Sequence, residues 1–298
     1  MGAQADTSVV TTRTAADAAT ILARARARVG ATERQKIGHL PGALHDFVSD
    51  ERGAYAVQVE LHQLLAEQRP ELGGICGTKI GCTTAVMQEY LGMPHPCAGA
   101  IWSSTAFVGQ GDFTGLWRAG VECEIAVRLA ADIEPLAPGA QHTRESVSRA
   151  VGEVMAAIEI VDDRYVKFEE RVPGPYVWVA DDFFGAGVVV AEHGAIRGRG
   201  GLDALDLSAV QGEMRINGER VGSGFGRDII NGHPLEALVW LANKTAELRP
   251  PSDDQSRPLL PAGHIVMLGS VVQTKWVQAG DIVTVNVDGL GSATARFS

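Results

Sequence analysis

The sequence predicts an α+β protein, with a small helical N-terminal part and a larger β-rich part built as a mixed sheet or roll. Three observations predict it. From Ala15 to about Gln68 the chain is rich in Ala, Leu, Arg and Glu, with Gly and Pro clustered near 38–42. Past Pro70, Gly becomes frequent and short β-branched runs alternate with turn residues. Two helical patterns interrupt that β-rich stretch.

Residues 1–12 are polar and read as a frayed end. Helices are predicted over about 15–29 and 52–68; in the second, Ala54, Val57, Leu61, Leu64 and Leu65 repeat at helical spacing. The break at Pro70 divides the chain into a helical segment, 1–70, and a β-rich domain, 71–298. Strands are predicted at Gly120–Leu129, Ile158–Asp162, Gly187–Ala191, Met214–Ile216, His264–Leu268 and Asp281–Val287. The last leads through Asp288-Gly289-Leu290-Gly291 into Ala293–Phe297, a hairpin pattern. One interrupting helix is Thr143–Ala157, with Val147, Val151, Val154 and Met155 on one stripe. The other starts near Pro234, which suits a first helical turn, and runs through Leu235, Leu238, Trp240 and Leu241 toward Leu248. Residues 249–261, polar and Pro-rich, read as a surface loop.

Hydrophobic residues make up 45% of the 298 and charged residues 21%, a globular composition that can support a core. The net charge of −10 argues against nucleic acid, whose phosphates such a surface repels. Arg24, Arg26 and Arg28 read as a solvated helix face. No apolar run approaches the roughly 18 residues that cross a bilayer, and no basic segment precedes an apolar one at the start. The four cysteines form no C-x-x-C pair. A reduced cytoplasmic protein without membrane attachment is expected.

The most informative stretch is Val121-Glu122-Cys123-Glu124-Ile125-Ala126-Val127. On a strand, Val121, Cys123, Ile125 and Val127 share the apolar face, and Glu122 and Glu124 share the other. Adjacent like charges are destabilising unless a cation lies between them. Glu159 sits inside the apolar run Ala157-Ile158-Glu159-Ile160-Val161, and a buried acid needs a partner. Three carboxylates without His or Cys donors favour Mg²⁺ or Mn²⁺ over zinc. The bland alternative is that E-x-E marks an exposed strand face. Cys123 points away from the glutamates on this reading.

The stretch Gly77-Thr78-Lys79-Ile80-Gly81-Cys82-Thr83, followed by Gln88, Leu91-Gly92 and Pro96, resembles the G-x-K-[IV]-G-x-T motif of the 2-keto-4-pentenoate hydratase and 4-oxalocrotonate decarboxylase family, within the fumarylacetoacetate-hydrolase-like superfamily. So do Glu122–Ile125, Ala157–Val161 with Arg164, Val179-Ala180-Asp181, Ser223-Gly224, Gly232–Leu235, Trp240–Ala242, Gly269-Ser270 and Gly289–Gly291. They run in the family's order over about residues 50–298.

The resemblance implies a fumarylacetoacetate-hydrolase-type β-roll, with Glu122, Glu124 and Glu159 holding Mg²⁺ or Mn²⁺. It also implies that Lys79 points at a small 2-oxo or 2-hydroxy acid. Partial burial and the cation would lower the Lys79 pKa toward neutrality. Asp181, or its neighbour Asp182, could position water or a proton. Ser270, Ser223, Gly224 and Arg164 are candidates for holding the substrate carboxylate, Ser223 and Gly224 from a loop. His233 reads as a turn residue. The implied activity is hydration of a 2-hydroxy-2,4-dienoate in aromatic-compound breakdown. Alternatives are a 4-oxalocrotonate-type decarboxylase, an acylpyruvate C–C hydrolase, for which His39 and His45 lack a clear acidic partner, and a non-catalytic partner subunit. A homo-oligomer is implied as well, with a complex with a related subunit as the alternative. Gly120 stands where the family carries Arg, and Asp182 where it carries Asn. These departures point to a substrate other than simple hydroxypentadienoate, one that is larger, aromatic or less acidic.

Overall fold

The computed structural model describes residues 14–26, 48–165, 168–170, 174–197, 204–250, 253–254 and 256–298. Among the described residues the first two helices are α1 (Ala15–Arg26) and α2 (Glu51–Gln68), and they pack on each other. Asp50 caps α2 by accepting from Gly53 N at 2.7 Å, which satisfies one of the orphan donors at a helix start. The face predicted from spacing is buried, with Ala54, Val57, Leu61 and Leu65 at 1% exposure or less. Gln58, on the same face, donates to the carbonyls of Ala98 (2.9 Å) and Val179 (2.7 Å), tying α2 to the β-rich part. The remainder of the predicted 15–29 helix, and His39 and His45, lie outside the described residues.

The β-rich part is two sheets. The larger has eight strands, ordered β2 (Cys97–Trp102), β1 (Ile75–Gly81), β11 (Ile265–Trp276), β5 (Ala119–Leu129), β6 (Val151–Asp162), β7 (Gly185–Val190) and β3 (Ala106–Val108), with β8 (Ala195–Ile196) also paired to β6. β1–β11 and β3–β7 are parallel and the other pairs antiparallel, so the sheet is mixed. The second sheet is ordered β10 (Glu219–Phe225), β9 (Gln211–Ile216), β12 (Ile282–Val287), β13 (Gly291–Phe297) and β4 (Gln110–Phe113). β12 and β13 form the predicted hairpin, paired from Ile282↔Arg296 to Val287↔Gly291. Val121, Cys123, Ile125 and Val127 of β5 are fully buried. A Cβ on Gly212 of β9 would lie 2.9 Å from Cys123 Sγ, so Cys123 faces the second sheet, away from the glutamates.

The short helices α3 (Ala85–Leu91), α4 (Arg144–Ser148) and α5 (Pro175–Ala180) and the longer α6 (Leu235–Leu248) complete the elements discussed below. The predicted helix Thr143–Ala157 is a correction. Thr143 and Ser146 build a capping box for α4, which stops at Ser148, and β6 begins at Val151. β6 lies between β5 and β7 and is covered on both faces, so its apolar run is nearly continuous. Helical spacing can be found in any such run. A second correction concerns Ser223 and Gly224, which lie on strand β10 and not in a loop. The described residues of 249–261 hold no helix or strand, only the isolated bridge Ile133↔Leu260. Among the described residues, no helix is long and apolar enough to cross a membrane.

Candidate active site

Strand register assembles the acidic cluster. Glu122 and Glu124 are two apart on β5 and share a face, and Glu159 of β6 stands directly across from Glu122. One carboxylate oxygen from each lies within 4.8 Å of the others. Glu124 and Glu159 are 1% and 2% exposed, and Glu122 is half-buried. An exposed strand face is thereby excluded. Each acid also meets a neighbour: Thr274 Oγ1 donates to Glu122 Oε1 at 2.5 Å, Gly269 N donates to Glu124 Oε2 at 2.9 Å, and Lys79 Nζ lies 3.0 Å from Glu159 Oε1.

Burial and the charge of Glu159 push Glu122 up to about 7, with Thr274 and Lys79 pulling the other way. Glu124 is pushed well above the usual carboxylate range by burial, then by Glu159 and Glu122. Glu159 Oε1 is buried and, beside its ion pair with Lys79, makes no well-formed hydrogen bond. Three hard oxygen donors, mutually repelling and incompletely satisfied, fit a divalent cation such as Mg²⁺ or Mn²⁺. The group contains no His or Cys, so it lacks the donors zinc prefers.

Lys79 points from β1 into the same place. It is 2% exposed, and its Nζ donates to the Phe183 carbonyl and lies 4.8 Å from the Phe183 ring centroid. Burial pulls its pKa down, but the neighbouring acids, Glu159 foremost, outweigh burial and hold it above the ordinary lysine value. In the protein without a cation, Lys79 is therefore an ammonium; the expected shift toward neutrality requires the cation to neutralise these acids.

The carbonyl that receives Lys79 belongs to an unusual turn. Asp182, Phe183 and Phe184 have φ of 53°, 45° and 68° in succession. Left-handed backbone is uncommon for non-glycine residues and costs on the order of 1–3 kcal/mol each. Two glycines let the turn approach: a Cβ on Gly99 would lie 2.5 Å from Asp182 O, and one on Gly81 would overlap the Phe183 ring. Buried ion pairs hold it. Asp181 accepts from Arg26 Nε at 2.5 Å, Arg164 Nε at 2.9 Å and Tyr165 OH at 2.9 Å. Asp182 meets His62 Nε2 at 2.6 Å, Ala100 N at 2.9 Å and Arg26 Nη1 at 3.1 Å. Burial alone would raise Asp182, but His62 and Arg26 hold it far below the usual range. Arg26 is therefore not part of a solvated face; Arg24 is exposed, and Arg28 lies outside the described residues.

A cavity of about 350 Å³ opens over Lys79 and Glu159. Arg164 and Arg26 reach its wall, with Trp102, Phe107, Leu116 and Trp117 giving it an apolar side. Asp181, Ser270, Ser223 and Gly224 are not among its described lining residues. Ser270 donates to the Val272 carbonyl at 2.6 Å within an irregular stretch of β11. Ser223 accepts from Arg220 Nη2 at 2.5 Å, and a Cβ on Gly224 would overlap the Val271 carbonyl oxygen. Arg164 donates to Asp181 and to the carbonyls of Asp181, Phe184 and Gly185 while still reaching the cavity wall. His233 accepts from Leu235 N at 3.1 Å, just before α6. Gly120 packs under Trp276 and Val161, where a Cβ would come within 3.0 Å of each.

Arg26, His62, Thr274 and the Gly269 amide escaped the sequence reading. Each acts across a sequence separation of more than a hundred residues; Gly269 lies in a matching motif, but nothing in the sequence marks its amide as a donor to Glu124.

Residues 98–298 match the family model described as fumarylacetoacetate (FAA) hydrolase C-terminal. The chain is 32% identical over 255 residues to 2-keto-4-pentenoate hydratase 1 of Dechloromonas aromatica (strain RCB), covering 84% of this chain and 87% of that one. It is 30% identical over 246 residues to 4-oxalocrotonate decarboxylase of Pseudomonas putida, covering 82% and 84%. The solved 4-oxalocrotonate decarboxylase from Pseudomonas putida G7, complexed with magnesium and adipate, superposes with a TM-score of 0.76 at 26% identity, covering 95% and 97%. From this match and these likenesses it follows that the chain belongs to the fumarylacetoacetate hydrolase C-terminal family.

Proposed function

We propose that the protein is a divalent-metal-dependent lyase that hydrates a 2-hydroxy-2,4-dienoate, of the 2-keto-4-pentenoate type, in aromatic-compound breakdown. The observation that carries this reading is the convergence of Glu122, Glu124 and Glu159 on one point, with the Lys79 ammonium beside Glu159 where the cavity opens. The hydratase names of similar chains support it.

Glu122, Glu124 and Glu159 are the proposed ligands of Mg²⁺ or Mn²⁺. When bound, that ion supplies Lewis acidity to the 2-oxo-acid end of the substrate. Lys79 is the proposed proton-transfer group. Hydration of a conjugated dienol requires a proton delivered to the carbon skeleton, and an ammonium that meets Glu159 and the Phe183 carbonyl keeps a third N–H for it. The apolar wall of Phe107, Leu116 and Trp117 receives the diene and restricts water. Arg164 supports the substrate carboxylate from the cavity wall, and Asp181 acts by fixing Arg164 and Arg26. Ser270, Ser223 and Gly224 remain candidate substrate contacts, each tested by alanine or serine substitution against KM. Residues 1–70 are proposed as a helical segment attached to the catalytic part 71–298, and the protein as a cytoplasmic homo-oligomer, which light scattering tests.

Incubation with 2-hydroxypenta-2,4-dienoate and Mg²⁺ or Mn²⁺ is expected to bleach the diene absorbance. Failure to turn over any dienoate overturns the reading. A decarboxylase is the second reading, favoured by the superposition on the Pseudomonas putida G7 enzyme; release of CO₂ from a dicarboxylic dienoate without hydration would establish it.

A further inference from the structure

The helices that precede the family match reach into the site. Arg26 closes α1 and meets both aspartates at the head of the left-handed turn, and His62, in the middle of α2, meets Asp182. We propose that Arg26 and His62 are positioning residues for Lys79: they hold the 182–184 turn in the conformation that sets the Phe183 carbonyl against the Lys79 ammonium. The inference rests on Lys79 being the proton-transfer group.

The turn does not hold itself. It contains no glycine, and its middle residue is a phenylalanine at φ 45°. Such backbone persists only where its surroundings over-determine it. From the β side, Gly81 and Gly99 leave room for the turn but bind neither aspartate side chain. From the helical side the hold is dense. Arg26 spans both residues, with Nε on Asp181 Oδ1 (2.5 Å), Nη2 on the Asp181 carbonyl (2.6 Å) and Nη1 on Asp182 Oδ2 (3.1 Å). That fork geometry matches a guanidinium and cannot be reproduced by a point charge. His62 takes the other oxygen of Asp182 at 2.6 Å, and its ring is fixed edge-on against Trp102. The neighbouring Arg164 engages Asp181 and, at 3.4 Å, the Phe184 and Gly185 carbonyls but not the Asp182 carboxylate, so removing Arg26 leaves Asp182, fully buried, with His62 and a backbone amide. The turn is then free to relax, and the carbonyl it presents to Lys79 moves with it.

Arg26 also lines the cavity, so a direct role on the substrate carboxylate is the competing outcome. The test uses the full chain with Mg²⁺ and 2-hydroxypenta-2,4-dienoate, comparing Arg26→Ala, Arg26→Lys, His62→Gln and Lys79→Ala. Arg26→Ala is expected to lower kcat about a hundredfold, the scale of a 1 Å misplacement, with KM nearly unchanged. Added guanidinium ion is expected to restore much of the kcat of Arg26→Ala and none of that of Lys79→Ala. Mn²⁺ binding is expected to match wild type in both Arg26 variants. Wild-type kcat in Arg26→Ala alongside an inactive Lys79→Ala overturns the inference, as does a raised KM with kcat intact. Full activity in Lys79→Ala overturns the underlying reading of Lys79, and the inference with it. A crystal structure of Arg26→Lys gives an answer independent of turnover and of whether the alanine variant folds. Lys79 Nζ displaced from the Phe183 carbonyl is expected; an unchanged turn and contact contradict the proposal.

Discussion

Replacing Glu122 by Gln should stabilise the metal-free protein and make it indifferent to metal. Glu122 is pushed from 4.5 to about 7 by burial and by Glu159. At 1.36 kcal/mol per unit, that rise is a penalty of roughly 3 kcal/mol on the folded state above pH 7. Because the side chain is half-buried, solvent screening reduces this to about 2 kcal/mol. The sign follows from linkage. Between pH 4.5 and 7 the folded protein holds a proton on Glu122 that the unfolded chain has lost, so stability falls as pH rises through that window. Glutamine keeps a group that Thr274 can bond and removes the charge. In EDTA at pH 8, Glu122→Gln should melt roughly 5 °C above wild type, taking about 2–4 °C per kcal/mol for a chain of this order. The difference should vanish near pH 5. Adding Mg²⁺ at about a hundred times its Kd should raise the wild type by about 2.7 kcal/mol and leave the variant nearly unmoved. Thermal melts across pH 5–8, with and without Mg²⁺, decide it. A variant less stable than wild type in EDTA at pH 8, or equal Mg²⁺ stabilisation of both proteins, refutes the reasoning.

Other substitutions probe separate parts of the account. Lys79→Ala should cut kcat by about 10²–10⁴, the usual span for a lost acid–base group, while Mn²⁺ titration still registers one site. Gly269→Ala should weaken Mn²⁺ affinity about 10–100-fold, because φ +116° and overlap with Thr83 Oγ1 would shift the amide that orients Glu124; isothermal titration measures it. Gln58→Leu should destabilise the fold by about 1–3 kcal/mol for each buried carbonyl it leaves unpaired at Ala98 and Val179, read by urea denaturation.

The acidic cluster was legible because strands have a period of two. Glu122 and Glu124 had to share a face once Val121, Cys123, Ile125 and Val127 were assigned to the other, and Glu159 stood out as an acid in an apolar run. What a linear reading could not supply was register, the pairing that sets Glu159 across from Glu122. The misread helix at 143–157 has the same root. A strand buried on both faces loses its alternation, and Val147, Val151, Val154 and Met155 fall at helical intervals by composition alone. Gly222 and Gly224 made β10 look like a loop, although their lack of side chains is what lets it pass close over Val272 and Val271. Arg26 could not be separated from Arg24 by spacing; the difference between them is Asp181 and Asp182, more than 150 residues away.

The account stands on one ion held by three carboxylates. Titration of the metal-free protein with Mn²⁺, followed by electron paramagnetic resonance, tests it most directly in wild type and in Glu122→Gln, Glu124→Gln and Glu159→Gln. The account predicts one site per wild-type chain, a signal perturbed when oxalate is added, and loss or marked weakening of binding in all three variants. Wild-type affinity in any two of them would contradict it.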